Sequence, residues 1–159
     1  VPLPTLPPAD STAPESKAPD AAPTTAPTSE EQPSGGSGAA VSLEIGTNGD
    51  ALEFSQSALS ADSGSQITLT FTNNSSVNQH NWVLVKTGSK DEVATAGTAA
   101  GPGAGWIPPG DDRVLAATGL LDAGASEEVS FTAPAPGTYQ FVCTFPGHNF
   151  SMFGDFTVK

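Results

Sequence analysis

Beyond residue 40, apolar and polar positions alternate with a period of two in short, separated runs. The clearest are Ser42-Leu43-Glu44-Ile45, Gln66-Ile67-Thr68-Leu69-Thr70-Phe71-Thr72, Glu128-Val129-Ser130-Phe131, Tyr139-Gln140-Phe141-Val142-Cys143 and Asp155-Phe156-Thr157-Val158. Successive side chains on a strand point to opposite faces, so each run predicts a strand with one face on a core. Asn81-Trp82-Val83-Leu84-Val85 is apolar almost throughout and predicts a further strand. Between the runs lie Asn48-Gly49, Ser63-Gly64, Ala123-Gly124 and Pro134-Ala135-Pro136-Gly137, where Gly supplies positive φ and Pro presets a turn. About six to eight short strands punctuated this way predict an all-β, antiparallel sandwich. One stretch, Lys90–Ala100 (KDEVATAGTAA), reads as helix, short and interrupted by Gly97. It is expected as an excursion between strands.

The first 40 residues have another character. They hold nine of the fifteen prolines and no aromatic residue, and they close on Pro33-Ser34-Gly35-Gly36-Ser37-Gly38. Such a composition cannot bury enough apolar surface to offset the entropy of ordering, so residues 1–40 are expected to be a disordered Pro/Ala/Thr/Ser-rich tether. Residues 41–159 form the expected globular domain. No apolar run reaches the length of a membrane helix. Val1 opens the chain without a Met, so a trimmed form is expected, compatible with a removed signal or anchor.

Charge and the scarce residues narrow the chemistry. With 17 Asp and Glu against 5 Lys and Arg, the net charge of -12 repels nucleic-acid phosphates and argues against them as partner. The 41–159 segment has 12 acidic and 4 basic residues, a net of -8. One cysteine permits no intramolecular disulfide, and two histidines exclude any site built from a dense imidazole cluster.

Those scarce residues gather in one motif. Cys143-Thr144-Phe145-Pro146-Gly147-His148-Asn149-Phe150-Ser151-Met152 holds the sole Cys, the sole Met and one of the two His in a C-x4-H-x3-M spacing. The other, His80, precedes the apolar strand 81–85. A thiolate, a thioether and two imidazoles make a soft ligand set that suits copper, and two His with one Cys in a plane and a distant Met describe a blue-copper electron-transfer site. The spacing fits: a strand end delivers Cys143, a Pro-Gly turn reverses the chain, and His148 and Met152 return to the same point. Taken singly, the Cys and Met would be ordinary core fillers; their joint spacing favours ligands. Copper storage or a zinc site from the same residues stays open, although a thioether is a poor zinc ligand. A cysteine nucleophile with a His base is the enzyme alternative, and a multicopper enzyme lacks the further imidazoles it would need.

Cys143-Thr144-Phe145-Pro146-Gly147-His148 with Met152, and His80-Asn81 upstream, resembles the azurin branch of the cupredoxins. With Gln79-His80-Asn81-Trp82-Val83-Leu84-Val85 and Pro134-Ala135-Pro136-Gly137-Thr138-Tyr139, the pattern is most similar to the auracyanins. The resemblance covers essentially 41–159 and implies a cupredoxin-type Greek-key β-sandwich and a carrier, not an enzyme. It implies one copper, held by His80, Cys143 and His148 in the plane and by Met152 as weak axial ligand. The backbone carbonyl of Gln79 would approach from the other side, where azurins have Gly. Asn81 would brace the ligand loops, and the Phe145 N–H would bond the Cys143 sulfur. The chain lacks the azurins' disulfide. The resemblance further implies redox partners such as a c-type cytochrome or a membrane quinol-oxidising complex, and a monomer on the periplasmic face, tethered to the cytoplasmic membrane by its N-terminal segment. A small apolar patch at His148, with Phe150 and Phe153, is expected to receive the partner, unless those two rings are core.

Overall fold

A computed structural model describes residues 38–159, so the expected disordered tether lies almost wholly outside the described residues. The first strand is β1 (Ala40–Gly46). It pairs in parallel with β3 (Gln66–Thr72), Ala40 facing Gln66 and Gly46 facing Thr72. On its other side β3 pairs antiparallel with β6 (Ser126–Thr132), which completes a three-stranded sheet. The second sheet has five strands in the order β2 (Ala58–Ala61), β8 (Phe153–Val158), β7 (Gly137–Val142), β4 (Val83–Val85), β5 (Val114–Ala117). The expected all-β sandwich is therefore present, with one correction. Two pairings, β1 with β3 and β2 with β8, are parallel, so neither sheet is purely antiparallel.

The alternation read from the sequence sets the inward faces. In β3, Ile67, Leu69 and Phe71 are buried while the Thr residues between them are half-buried. Phe156 and Val158 of β8 and Phe141 of β7 point into the same core, where Phe141 meets Phe54 edge-on at 5.2 Å and stacks on Trp82 at 6.1 Å. Burying each such side chain is worth about 1.5–3 kcal/mol. The unbroken apolar run at β4 has its own cause, since that strand is buried on both faces. Trp82 and Leu84 join the main core; Val83 and Val85 pack with Val142 and with Val93 of the helix α1 (Lys90–Ala100).

Helix α1 thus occupies the stretch expected of it and covers the outer face of β4. Gly97, the expected weak point, is there for a close approach: a Cβ at this position would lie 1.9 Å from the Trp106 carbonyl oxygen. Trp106 itself has a left-handed backbone (φ 61°), a conformation that non-glycine residues adopt at a cost of roughly 1 kcal/mol or more. The packing of α1 against its carbonyl helps hold it there.

Candidate metal centre

Four segments deliver the site. His80 stands just before β4 in an isolated bridge with Leu121, its N–H donating to the Leu121 carbonyl (3.1 Å) and its carbonyl accepting from the Leu121 N–H (2.8 Å). Cys143 follows the last residue of β7, and its N–H donates to the Met152 carbonyl at 3.0 Å. Between them Pro146 and Gly147 turn the chain, Gly147 in the left-handed region (φ 82°), and His148 opens a 3-10 turn, His148–Phe150. The Met152 N–H then donates to the His148 carbonyl at 2.9 Å. The loop from Cys143 to Met152 is thereby closed on itself at both ends.

The donors converge. Cys143 Sγ lies 3.7 Å from His80 Nδ1 and 3.6 Å from His148 Nδ1, and the two Nδ1 atoms are 3.2 Å apart. A first-row ion about 2.0–2.1 Å from nitrogen and about 2.3 Å from sulfur would set the corners of its trigonal plane roughly 3.5–3.8 Å apart. The triangle is close to that size, so these three side chains fit a single metal ion. Met152 is fully buried in the same cluster as Cys143. Gln79 is exposed, and its side chain turns away to donate to Asp122 Oδ1 at 2.5 Å. Its backbone adjoins His80 in the chain.

Burial sets the protonation states. The Cys143 thiol is pushed up to about 11, chiefly by burial, against the opposing pull of hydrogen bonds from the backbone N–H groups of Asn81 and Phe145. The Phe145 N–H bond to sulfur is the one expected; the second, from Asn81, is additional. His80 is pushed down to about 4 by burial and by its neighbour His148, and burial lowers His148 too. At neutral pH both imidazoles are neutral with lone pairs available, whereas the thiol keeps its proton until a metal displaces it. His80 Nε2 is buried without a hydrogen-bond partner among the described residues. On that edge of the ring, backbone and packing rather than a hydrogen bond orient the imidazole.

Asn81 braces the ligand loops as expected. Its Oδ1 accepts from the Thr144 N–H (2.8 Å), and its Nδ2 donates to Thr144 Oγ1 (2.8 Å) and to the Gly105 carbonyl (3.0 Å). Several contributors lie beyond the motif. The Phe145 ring lies 4.5 Å from the His148 ring, and Trp106 meets Phe145 edge-on at 5.8 Å. Asp91 of α1 accepts from Asn149 Nδ2 at 2.9 Å, and Ser151 Oγ donates to the Leu52 carbonyl at 2.8 Å. Phe150 and Phe153 are both exposed, so the surface alternative holds rather than the core one.

The sequence profile of copper binding proteins of the plastocyanin/azurin family matches residues 39–159. Auracyanin-A of Chloroflexus aurantiacus is 43% identical over 121 residues, which cover 75% of this chain and 75% of that protein. Auracyanin-B of the same organism is 44% identical over 124 residues, 75% of this chain but only 52% of the relative's length. Among solved structures, auracyanin A of Chloroflexus aurantiacus, described as a "blue" copper protein, superposes with a TM-score of 0.72 at 42% identity, covering 76% of this chain and 99% of that one. The dithionite-reduced auracyanin of Roseiflexus castenholzii gives a TM-score of 0.72 at 40% identity, covering 77% and 99%.

Proposed function

Because this chain belongs to the plastocyanin/azurin family of copper-binding proteins and is a blue copper electron-transfer protein, we propose that it carries single electrons between membrane-associated redox partners. These partners are a c-type cytochrome and a quinol-oxidising membrane complex, in a photosynthetic or respiratory chain on the periplasmic face. The Pro-rich segment 1–40 tethers the domain to the cytoplasmic membrane there, and the domain works as a monomer without catalysing a reaction of its own.

His80, Cys143 and His148 would hold the copper, with Met152 as a further, weak ligand and the Gln79 carbonyl as an additional donor. Bound copper supplies a one-electron couple that no side chain here possesses. The chain supplies the rest. Two neutral imidazoles and a buried thiol, which would give up its proton to the metal, are held in place by β4, β7 and their loops, and such a preset site would limit rearrangement between the two copper states. A zinc ion would accept the same plane but gains little from a thioether. Both histidines of the chain are committed here, leaving none for a second metal centre or a general base.

The exit for the electron is the His148 edge. His148 is 7% exposed where His80 is 0% exposed, and the Phe145 ring and the 78%-exposed Phe150 adjoin it. A small apolar rim suits a weak, short-lived encounter, which a carrier needs in order to leave again. The acidic surface steers a basic partner toward it.

One observation carries the reading: the buried triangle of Cys143 Sγ and two Nδ1 atoms. Its test is the visible spectrum after Cu(II) addition and then ascorbate. An intense blue band that bleaches on reduction and returns on oxidation is expected. Folded protein with a reduced thiol that stays colourless overturns the copper reading. Electron transfer to a cytochrome that does not slow with added salt overturns the steering.

A further inference from the structure

The loop carrying His148 and Met152 is gripped from outside by the first turn of α1. Asp91 Oδ1 accepts from Asn149 Nδ2 at 2.9 Å and from Lys90 Nζ at 2.6 Å. Lys90 Nζ also donates to the Asn149 carbonyl at 3.3 Å and lies 4.3 Å from the centre of the Phe153 ring. Asn149 directly follows the ligand His148, and Phe153 directly follows the ligand Met152. The two residues of α1 therefore touch the chain next to both ligands of the loop, from a helix that offers no ligand itself.

An isolated surface ion pair would contribute little, and the Asp91 side chain is 61% exposed. The Lys90 side chain, however, is only 15% exposed, and its ammonium meets a carboxylate, a carbonyl and an aromatic face together, the last two on residues that adjoin the ligands. Asn149 is buried, and its side-chain amide and its carbonyl are both engaged by the same helical turn. Elsewhere the loop beyond His148 is tied laterally by Ser151 to the Leu52 carbonyl.

We propose that Lys90 and Asp91 are positioning residues for the copper-ligand loop. By locking Asn149 and Phe153 they hold His148 and Met152 in the binding geometry, with or without the metal. The inference rests on the copper reading above for its consequence, and on the copper-free fold alone for its first test.

The variants are Lys90→Met and Asp91→Ala, with Lys90→Arg as the conservative change. Glu92→Gln serves as control: it loosens an ion pair to Arg113 from the same helical turn without touching the loop. In the copper-free chain, amide hydrogen exchange of residues 149–153 should accelerate about tenfold in both disruptive variants, because the clamp's contacts are lost from the free energy of local opening. Copper should leave the loaded protein to a chelator faster by a similar factor, and both variants should shift the reduction potential in the same direction. Lys90→Arg should restore wild-type behaviour, since a guanidinium donates to the same oxygens and stacks on Phe153. Glu92→Gln should leave exchange and release unchanged and move the potential only in the direction set by the loss of one negative charge. Removing one positive and one negative charge without loosening the loop would move the potential in opposite directions, with exchange unchanged; that result overturns the proposal. So does a fall in melting temperature that leaves exchange and release at wild-type values. Wild-type protein that never turns blue sinks the copper reading instead, and the exchange experiment then still decides the clamp.

Discussion

The two imidazoles of the site differ in how they are held. His80 belongs to the framework: it is fully buried, bridged to Leu121 by two backbone hydrogen bonds, and followed by Asn81, tied to Thr144, and Trp82 in the main core. Asn73 ties the same corner further, donating to the carbonyls of Leu121 and Asn78. His148 belongs to a loop at the rim, on a 3-10 turn beyond a Pro-Gly reversal, held by Phe145, by Asn149 and by the loop's own ends. The difference divides the work. The framework side fixes where a metal would sit, and the rim side brings that position nearer the surface. A carrier needs both, because a site rigid and buried on all sides exchanges electrons with nothing, and one exposed on all sides lets its ligands rearrange.

The largest expected effect separates the sides by truncation. His80→Gly removes a fully buried side chain from between packed strands, and the copper-free protein should lose about 3–5 kcal/mol of stability. His148→Gly should cost less than half of that, because the rim can relax. Titration with Cu(II) and external imidazole sharpens the contrast. Imidazole should enter the gap left at the rim and restore a coloured copper site in His148→Gly, while the closed framework should refuse it in His80→Gly. A spectrum of His148→Gly that does not respond to imidazole removes the claim that this ligand faces outward.

A smaller effect follows from acid. His80 has its pKa lowered from about 6.5 to about 4, first by burial and then by His148, so in this range the unfolded chain binds a proton that the native copper-free protein refuses. Stability is therefore fully present above pH 6.5 and declines as the pH falls toward 4. The full loss should be on the order of 3–4 kcal/mol, because proton affinity is weakened by about 2.5 powers of ten and each corresponds to about 1.4 kcal/mol. Urea unfolding of the copper-free protein at a series of pH values measures it. Replacing His80 with Gln should flatten the decline more than the same change at His148, and equal flattening would erase the distinction between framework and rim.

The same division explains what the sequence could reveal. The framework strands were legible where Thr and Ser alternate with Ile, Leu and Phe, as in β3, since burial of one face is written directly into period two. The two short strands β2 (Ala-Leu-Ser-Ala) and β5 (Val-Leu-Ala-Ala) were not. They stand at opposite edges of the five-stranded sheet, and small residues there carry little contrast between faces. Strand direction was hidden too, because alternation is the same in parallel and antiparallel pairs. At the site, the donors were legible because Cys, Met and His are so scarce in this chain. Their supports were not: Asp91 meets Asn149 across 58 positions and Asn81 meets Thr144 across 63. Ordinary surface and turn residues gain these roles only through the fold. Gly97 shows the limit from the other direction, since what reads as a helix interruption is the clearance for the Trp106 carbonyl.

The smallest effect on the protein itself should be the most telling about its rim. Phe150 is 78% exposed, so Phe150→Ser removes almost no buried contact and should change stability by no more than about 0.5 kcal/mol. Single apolar side chains are common on protein surfaces, so what the ring does in an encounter decides its role. If a redox partner does so, losing most of one Phe side chain from the encounter should slow electron transfer about tenfold, equivalent to about 1.4 kcal/mol of apolar burial. That loss should persist at high ionic strength, because apolar burial is not screened, whereas the contribution of the acidic surface fades as salt is added. Stopped-flow rates with a c-type cytochrome across a salt series separate the two. A variant that is slower at every salt concentration assigns Phe150 to the docking face. A variant indistinguishable from wild type moves the docking face elsewhere.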